Sequence, residues 1–292
     1  MYLPDVDYHD ADSLEDALQL MERYAPDACW LAGGTDLLVD LKVGRMATRH
    51  LVSLGRIDAL RGIRESSKGL RIGALVTISE LDRHPALRNG LSPLHDATSQ
   101  MAAQQIRNSA TVGGNVASAV PCADLPPILT ALEAVVEISS LAGERIVPLT
   151  SFFRGARKTV LNPKDLLSAI IVPHPPQRCG AAYSRFGLRE GNAIAVAGVA
   201  ALIHLARDET IEDARIVLGA VSPVPVLVEA ARDTLIGETP GERPFARAAR
   251  AAADASKPIC DVRGSVEFRR QIVAVMARRA LATAARRAKG VE

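Results

Sequence analysis

Aromatic side chains are scarce in this chain, with one Trp, four Tyr and five Phe among 292 residues. That is too few to build the stacking platforms that hold single-stranded nucleic acid. An excess of one charge is also missing. Thirty-five Lys and Arg stand against 33 Asp and Glu, for a formal charge of +2, which leaves no electrostatic footprint for nucleic acid. Apolar runs such as Ala193–Leu205 are short and interrupted, against the ~20 residues needed to cross a bilayer, so no membrane insertion is expected. Met1–Asp12 carries Asp5, Asp7 and Asp10 and has no basic segment ahead of an apolar one. It does not read as a secretory signal, and a cytoplasmic location is expected.

Metal and redox-cysteine motifs are lacking too. Cys29, Cys122, Cys179 and Cys260 are dispersed, none in C-x-x-C spacing and none at a ligand interval from a histidine. Free thiols are expected, with no metal or iron–sulfur site built within the chain. His9, His50, His84, His95, His174 and His204 are scattered, so no triad emerges and no residue is expected to act as nucleophile or general acid. Neither G-x-G-x-x-G nor G-x-x-x-x-G-K-[ST] occurs, which argues against Rossmann and P-loop folds.

What the chain does have is two glycine pairs in similar company. Leu31-Ala32-Gly33-Gly34-Thr35-Asp36-Leu37 and Thr111-Val112-Gly113-Gly114-Asn115 each set adjacent glycines beside a hydroxyl or amide side chain. Glycine tolerates positive φ and lets backbone approach a ligand closely. Successive N–H groups in such turns can converge on an anion. Two loops of the same chemistry point to one ligand held at two points, and a dinucleotide with a pyrophosphate bridge fits. Thr35 offers a hydroxyl, and Asp36 is expected to cap the backbone that follows.

The order of elements predicts an α+β fold. Ser13 with Asp16 reads as a cap pair for a helix carrying Leu14, Leu18 and Met21, and Thr77-Ile78-Ser79-Glu80 reads as a capping box. Ser92-Pro93 opens a helix to about Met101, and Asp124 with Pro126-Pro127 opens one over Ile128–Ala134. Strands are expected at Cys29–Leu31, His50–Leu54, Leu70–Ile72, Val135–Ser139 and Leu166–Val172. His174-Pro175-Pro176-Gln177 interrupts both helix and sheet and divides the chain into domains at 1–176 and 177–292. Beyond it come three strand-like runs, Ala181–Leu188, Ile194–Leu205 and Ala214–Val221, and then three helices. The last helix starts at Ser265, with Phe268, Ile272, Val275 and Met276 on its apolar face and Arg269, Arg270, Arg278 and Arg279 off it. The basic run Arg286–Lys289 is expected to solvate its end.

Ala32–Leu37, Gln105-Ile106-Arg107-Asn108, Ala110–Asn115 and Ala123-Asp124 with Pro126-Pro127, taken in order, resemble the FAD-binding medium subunit of molybdenum hydroxylases. That family includes carbon monoxide dehydrogenase, bacterial xanthine dehydrogenase, nicotinate dehydrogenase and 4-hydroxybenzoyl-CoA reductase. The resemblance continues through Leu166-Leu167, Ser184–Ile194 and Glu267-Phe268-Arg269 and covers nearly the whole chain. It implies an FAD domain of the p-cresol methylhydroxylase/vanillyl-alcohol oxidase type, followed by the family's own C-terminal domain of a three-stranded antiparallel sheet plus three helices.

The same resemblance assigns roles. Ala32, Gly33, Gly34, Thr35, Asp36 and Leu37 would cradle the FAD pyrophosphate from one side, and Thr111, Gly113, Gly114 and Asn115 from the other. Asp124 would lie near the adenosine ribose, or serve as a helix N-cap. Met101, Ala102 and Leu166 would pack on flavin or adenine, and Arg185 would sit near the isoalloxazine or form a surface ion pair. Relatives place an aromatic or acidic side chain near Asn192-Ala193-Ile194, where this chain has only Ala193. The segment from Asn115 to Pro126 holds one cysteine, Cys122, so the [4Fe–4S] insertion of the reductase is expected to be missing.

The implied function is electron transfer. FAD would take electrons from a small [2Fe–2S] subunit and pass them to NAD, a quinone or another acceptor. Substrate would be oxidised at molybdopterin on a large subunit, in a dimer of heterotrimers. Two other readings remain open: a self-sufficient flavin oxidase, for which the C-terminal region is small, and an assembly subunit with a vestigial flavin site.

Overall fold

The structure is a computed structural model that describes residues 2–88 and 91–291. The chain opens with β1 (Asp7–Asp10), α1 (Leu14–Tyr24), β2 (Ala28–Leu31), α2 (Leu37–Lys42) and β3 (His50–Ser53). Its three strands form a small parallel sheet in the order β1-β3-β2. The Ser13 side chain accepts from the Asp16 amide at 3.1 Å, as its spacing predicts, and Ala17, Leu18 and Met21 turn inward.

A second, fully antiparallel sheet follows in the order β4-β5-β10-β6-β7. Its chain sequence is β4 (Ile63–Ser66), β5 (Gly69–Gly73), α3 (Ile78–Arg83), α4 (Ser92–Thr98), α5 (Gln104–Arg107), α6 (Val112–Ala117) and α7 (Leu125–Ala131). After these come β6 (Val135–Ser140), β7 (Gly143–Pro148), the short hairpin β8 (Phe153–Gly155) and β9 (Lys158–Thr159), and β10 (Leu166–Val172). Thr77 and Glu80 complete the expected capping box. The helix expected to run to Met101 stops at Thr98, with Leu91 rather than Ser92 at its N-cap. Ala102 then takes φ +44, a left-handed conformation that a helix cannot continue. The helix expected from Ile128 begins at Leu125, so Pro126-Pro127 fall inside its first turn, where a missing N–H costs nothing.

The last region contains β11 (Cys179–Phe186), β12 (Ala197–Leu205), β13 (Ile211–Gly219), β14 (Val226–Leu227), α8 (Glu229–Asp233), α9 (Glu242–Ala255) and α10 (Val266–Ala288). The antiparallel sheet holds the three expected strands, and a two-residue fourth, β14, pairs with β13. One face of this sheet, with Ala181, Tyr183, Ala200, Leu202 and Val217, joins the core of the five-stranded sheet. The other face packs on α8, α9 and α10. The sheet is therefore sandwiched between the region that carries the five-stranded sheet and an outer helical layer.

The expected face of α10 is corrected by the structure. Its buried stripe is Val273, Met276, Ala277, Ala280, Leu281, Ala284, Ala285 and Ala288, while Phe268 stays exposed. Arg269 is buried, donating to the Val196 carbonyl at 3.0 Å and to Asp261 at 2.6 Å. The basic run is corrected as well. Arg287 makes a two-pronged bond to Asp96 of α4 at 2.6 and 2.9 Å and donates to the Ala181 carbonyl at 2.8 Å. It joins the last helix to the first region rather than solvating a frayed end.

Candidate functional site

The first glycine loop leaves the C-terminal end of β2 and enters α2, which is fixed in place by Asp40. That carboxylate is buried and ion-paired to Arg45 and to Arg157 of the β8–β9 hairpin. The second loop is fixed by the turn that follows β5, because Val112 N–H donates to the Val76 carbonyl and Gly113 N–H to that of Ala74. The structure brings the two loops into contact. A Cβ built on Gly33 would lie 1.8 Å from the Ser109 carbonyl oxygen. Gly33 is therefore needed for the close approach of one loop to the other.

The two loops do not offer the same groups to a ligand. In the first, the N–H groups of Gly33, Gly34 and Thr35 donate to no backbone acceptor among the described residues. Gly34 takes φ +71, which turns this run of amides at little cost for glycine alone. In the second, the Gly114 amide donates to Thr111 Oγ1 at 3.0 Å and the Asn115 amide to the Thr111 carbonyl. Those of Val112 and Gly113 go to the sheet, and Gly113 packs on Ala74. What the second loop can present is the Asn115 side chain, whose Oδ1 is buried without a hydrogen-bond partner. An unpaired buried acceptor of this kind costs about 1–3 kcal/mol.

The other predicted residues divide into two groups. Met101 lies beside Asn115, with its sulfur 3.9 Å from Nδ2, in the core of the five-stranded sheet. Ala102 packs against the same core, whereas Leu166 belongs to a separate cluster with Leu75, against which Trp30 and Ala32 pack. Asp36 occupies the N-cap position of α2 but makes no capping bond. Leu37 opens that helix, half-buried.

Asp124 sits at the N-cap of α7 without capping it. Its carboxylate is instead gripped by β11, with the Tyr183 hydroxyl donating at 3.0 Å and Arg185 at 3.2 Å. Burial lifts the Asp124 carboxyl to about 6, against the pull of Arg185 and the Tyr183 hydrogen bond. Burial also drives the Tyr183 phenol well above its usual range, reinforced by the Asp124 charge. Arg185 is not a surface residue. Its side chain is 4% exposed and donates to the carbonyls of Gln100, at 2.8 Å, and Ala193 as well as to Asp124. The Cys122 thiol is raised mainly by burial, then by the charge of Asp124; Arg263 opposes this and Asp36 adds to it. The 120s segment and the C-terminal region therefore meet at Asp124, through Tyr183 and Arg185.

Sequence reasoning missed Tyr183, Asp96, Ser109 and Arg287. Tyr183 was open to discovery, because Tyr183 and Arg185 are two apart on a strand and must share a face. Ser109 carried no signal, since its contact to Gly33 is made by its backbone. Among the described residues no group of three or more His, Cys, Asp or Glu is placed to hold a metal ion. No described helix is long and apolar enough to cross a membrane.

Comparison with known proteins gives the family and the fold. A family model for the FAD-binding domain in molybdopterin dehydrogenase matches residues 4–175, and one for the CO dehydrogenase flavoprotein C-terminal domain matches 181–284. The chain is 34% identical to the 6-hydroxypseudooxynicotine dehydrogenase complex subunit alpha of Paenarthrobacter nicotinovorans, over 98% of this chain and 96% of that one. It is 35% identical to the carbon monoxide dehydrogenase medium chain of Afipia carboxidovorans, over 97% and 98% respectively. A crystal structure of Cu,Mo-CO dehydrogenase superposes with a TM-score of 0.94 at 33% identity, covering 98% of this chain and 100% of the other.

Proposed function

Since the chain belongs to the FAD-binding medium subunits of molybdenum hydroxylases, we propose that it carries electrons from a small [2Fe–2S] subunit to an external acceptor. The observation that carries this reading is the paired loop. Free amides of Gly33, Gly34 and Thr35 stand in a cradle closed by Ser109, and an unpartnered Asn115 oxygen is held in the second loop. This donor set fits a pyrophosphate-bearing cofactor, with amides for the anion and a carboxamide for a neighbouring donor group.

When bound, FAD supplies the redox chemistry, and the protein supplies binding, orientation and electrostatics. Ala32–Leu37 present the amides and the Thr35 hydroxyl. Thr111 holds the turn through its bond to Gly114, which leaves the Asn115 side chain free to pair with the cofactor. Met101, Ala102 and Leu166 supply apolar contact. Arg185 brings a fixed positive charge, with its geometry set by Asp124 and two carbonyls. The burial of Asp124 and its bonds to β11 favour a role as anchor of the C-terminal region at the site over direct contact with ribose.

In this reading the domains are 1–176 and 177–292, supported by the short connection between β10 and β11. The complex is a cytoplasmic dimer of heterotrimers with a large molybdopterin subunit, and NAD or a quinone is the acceptor. The test is to purify the chain alone and with its two partner subunits. The isolated chain should retain FAD by visible absorbance and oxidise no small donor. Anaerobic mixing with the reduced iron–sulfur subunit should bleach its flavin, and NAD and quinone can then be compared as re-oxidants. A colourless chain that FAD cannot reconstitute would sink the reading. A flavin-loaded chain that oxidises a small donor by itself would replace it with a self-sufficient oxidase.

A further inference from the structure

The two outer helices concentrate the chain's positive charge. Together α9 and α10 carry nine arginines against Glu242, Asp254 and Glu267. Arg247, Arg269 and Arg287 are neutralised by Glu238, Asp261 and Asp96, which lie outside the two helices, and the six remaining arginines against three carboxylates still make this layer a positive surface. Between the helices runs a groove of about 690 Å³. Its floor is apolar, built from Phe245, Val275, Ala282 and Ala285, and its walls are Arg278, Arg279, Arg286 and Lys289. Glu242 is the one acidic residue at its mouth. Arg278, Arg279 and Arg286 form no ion pair among the described residues, while Lys289 pairs with Glu209 at 2.7 Å.

The spacing of the α10 residues defines what fits. Val275, Arg278, Arg279, Ala282, Ala285, Arg286 and Lys289 follow helical i, i+3, i+4, i+7 steps. They make one continuous face roughly 21 Å long at ~1.5 Å per residue. The opposite face of α10 is buried on β11 and β12, so the groove lies across the sheet from the Asp124 node and the glycine loops. An occupant here would leave the candidate cofactor site uncovered.

We propose that this groove is the docking site for an acidic amphipathic helix from a partner subunit, with apolar side chains on the alanine-lined floor and carboxylates toward the arginine walls. The proposal rests on the medium-subunit reading. Charge complementarity selects an acidic occupant. The concave apolar floor selects a helix over a membrane, because interfacial binding requires apolar side chains that protrude. A nucleic acid would find no exposed aromatic ring in the groove, where Phe245 is 7% exposed.

The experiment uses the full chain, alone and co-assembled with its two partner subunits. An Ala282→Cys thiol on the exposed floor should react quickly with a maleimide in the isolated chain and at least tenfold more slowly in the complex. The pair Arg278→Glu/Arg279→Glu should weaken assembly at least tenfold in low salt, while the isolated variant keeps the parent's melting temperature and flavin content. A complex that assembles normally and labels at the isolated rate would overturn the groove while leaving the electron-transfer reading intact. Failure of the parent chain to assemble at all would count against the electron-transfer reading itself. Protection by anionic phosphatidylglycerol vesicles or an RNA oligonucleotide, but not by the partner subunits, would overturn the helix assignment.

Discussion

Gly33→Ala tests the loop-to-loop contact most directly. The new methyl would stand 1.8 Å from the Ser109 carbonyl oxygen and 2.8 Å from its carbon, where ordinary contact begins at 3.4 Å. Both partners are backbone, so no side chain can swing aside, and the loops must part by on the order of 1.5 Å in an interior packed to crystal density. Overpacking of this sort costs about 1–3 kcal/mol. In a chain of this size each kcal/mol is worth roughly 2–4 °C, so the flavin-free protein should melt about 5 °C lower. The same displacement exceeds the ~0.5 Å range over which an N–H···O bond stays well formed, so FAD should be lost on gel filtration. Gly44→Ala is the control. Gly44 has φ +70 with nothing within 4 Å of a built Cβ, so its variant bears only the left-handed penalty of ~1–2 kcal/mol and should keep its flavin. If Gly33→Ala melts with the parent and retains FAD as fully as Gly44→Ala, the close contact is not what shapes the cradle.

Asn115→Ala removes the orphaned oxygen, so flavin-free protein should gain about 1 kcal/mol while FAD affinity falls; a loss in both would show the carboxamide to be structural. Asp124 has a raised folded-state carboxyl, about 6 against an ordinary 3.8. The stability it confers by holding a proton is therefore present below pH 3.8 and disappears as pH rises through about 6. The change is about 3 kcal/mol at ~1.36 kcal/mol per unit. Melting the flavin-free parent and Asp124→Asn across pH 4 to 7.5 should show the parent losing ground to the variant as pH rises, and parallel curves would refute the shift. Arg287→Ala cuts the two-pronged tie to Asp96 and should cost about 1–3 kcal/mol. Limited proteolysis should then cleave between β10 and β11 sooner, and an unchanged pattern would show the tie to be dispensable.

Much of this was legible in the sequence where a local rule had no competitor. Leu166–Val172 is a strand to the residue because it is buried on both faces and stopped by Pro173, and Thr77 caps where hydroxyl and Glu80 spacing say it must. β1 and β7 were missed because they are exposed, polar edge strands, Asp7–Asp10 and Gly143–Pro148, with no apolar alternation to read. The face of α10 was misread because five of its nine buried positions are alanine, beside Val273, Met276, Leu281 and the charged Arg269. A stripe of alanines offers little contrast with the solvent side. The larger phenyl ring of Phe268 outweighed it and pointed to the wrong face. At the site, the glycine pairs were visible but their division of labour was not. Which amides are spent on the sheet depends on Ala74 and Val76, residues distant in sequence.

The meeting of Gly33 and Ser109 also bears on the order in which the molecule is made. One half of the cradle hangs from the parallel sheet of the first fifty residues, the other from the antiparallel sheet that is completed only by β10. Neither sheet alone holds both halves, so in the proposed reading the cofactor is captured only after these two bodies have docked. Any ligand bound across that junction adds its binding free energy to the junction's stability. In the proposed reading flavin is therefore a staple across this internal seam, and the yellow colour of a preparation reports that the seam has closed.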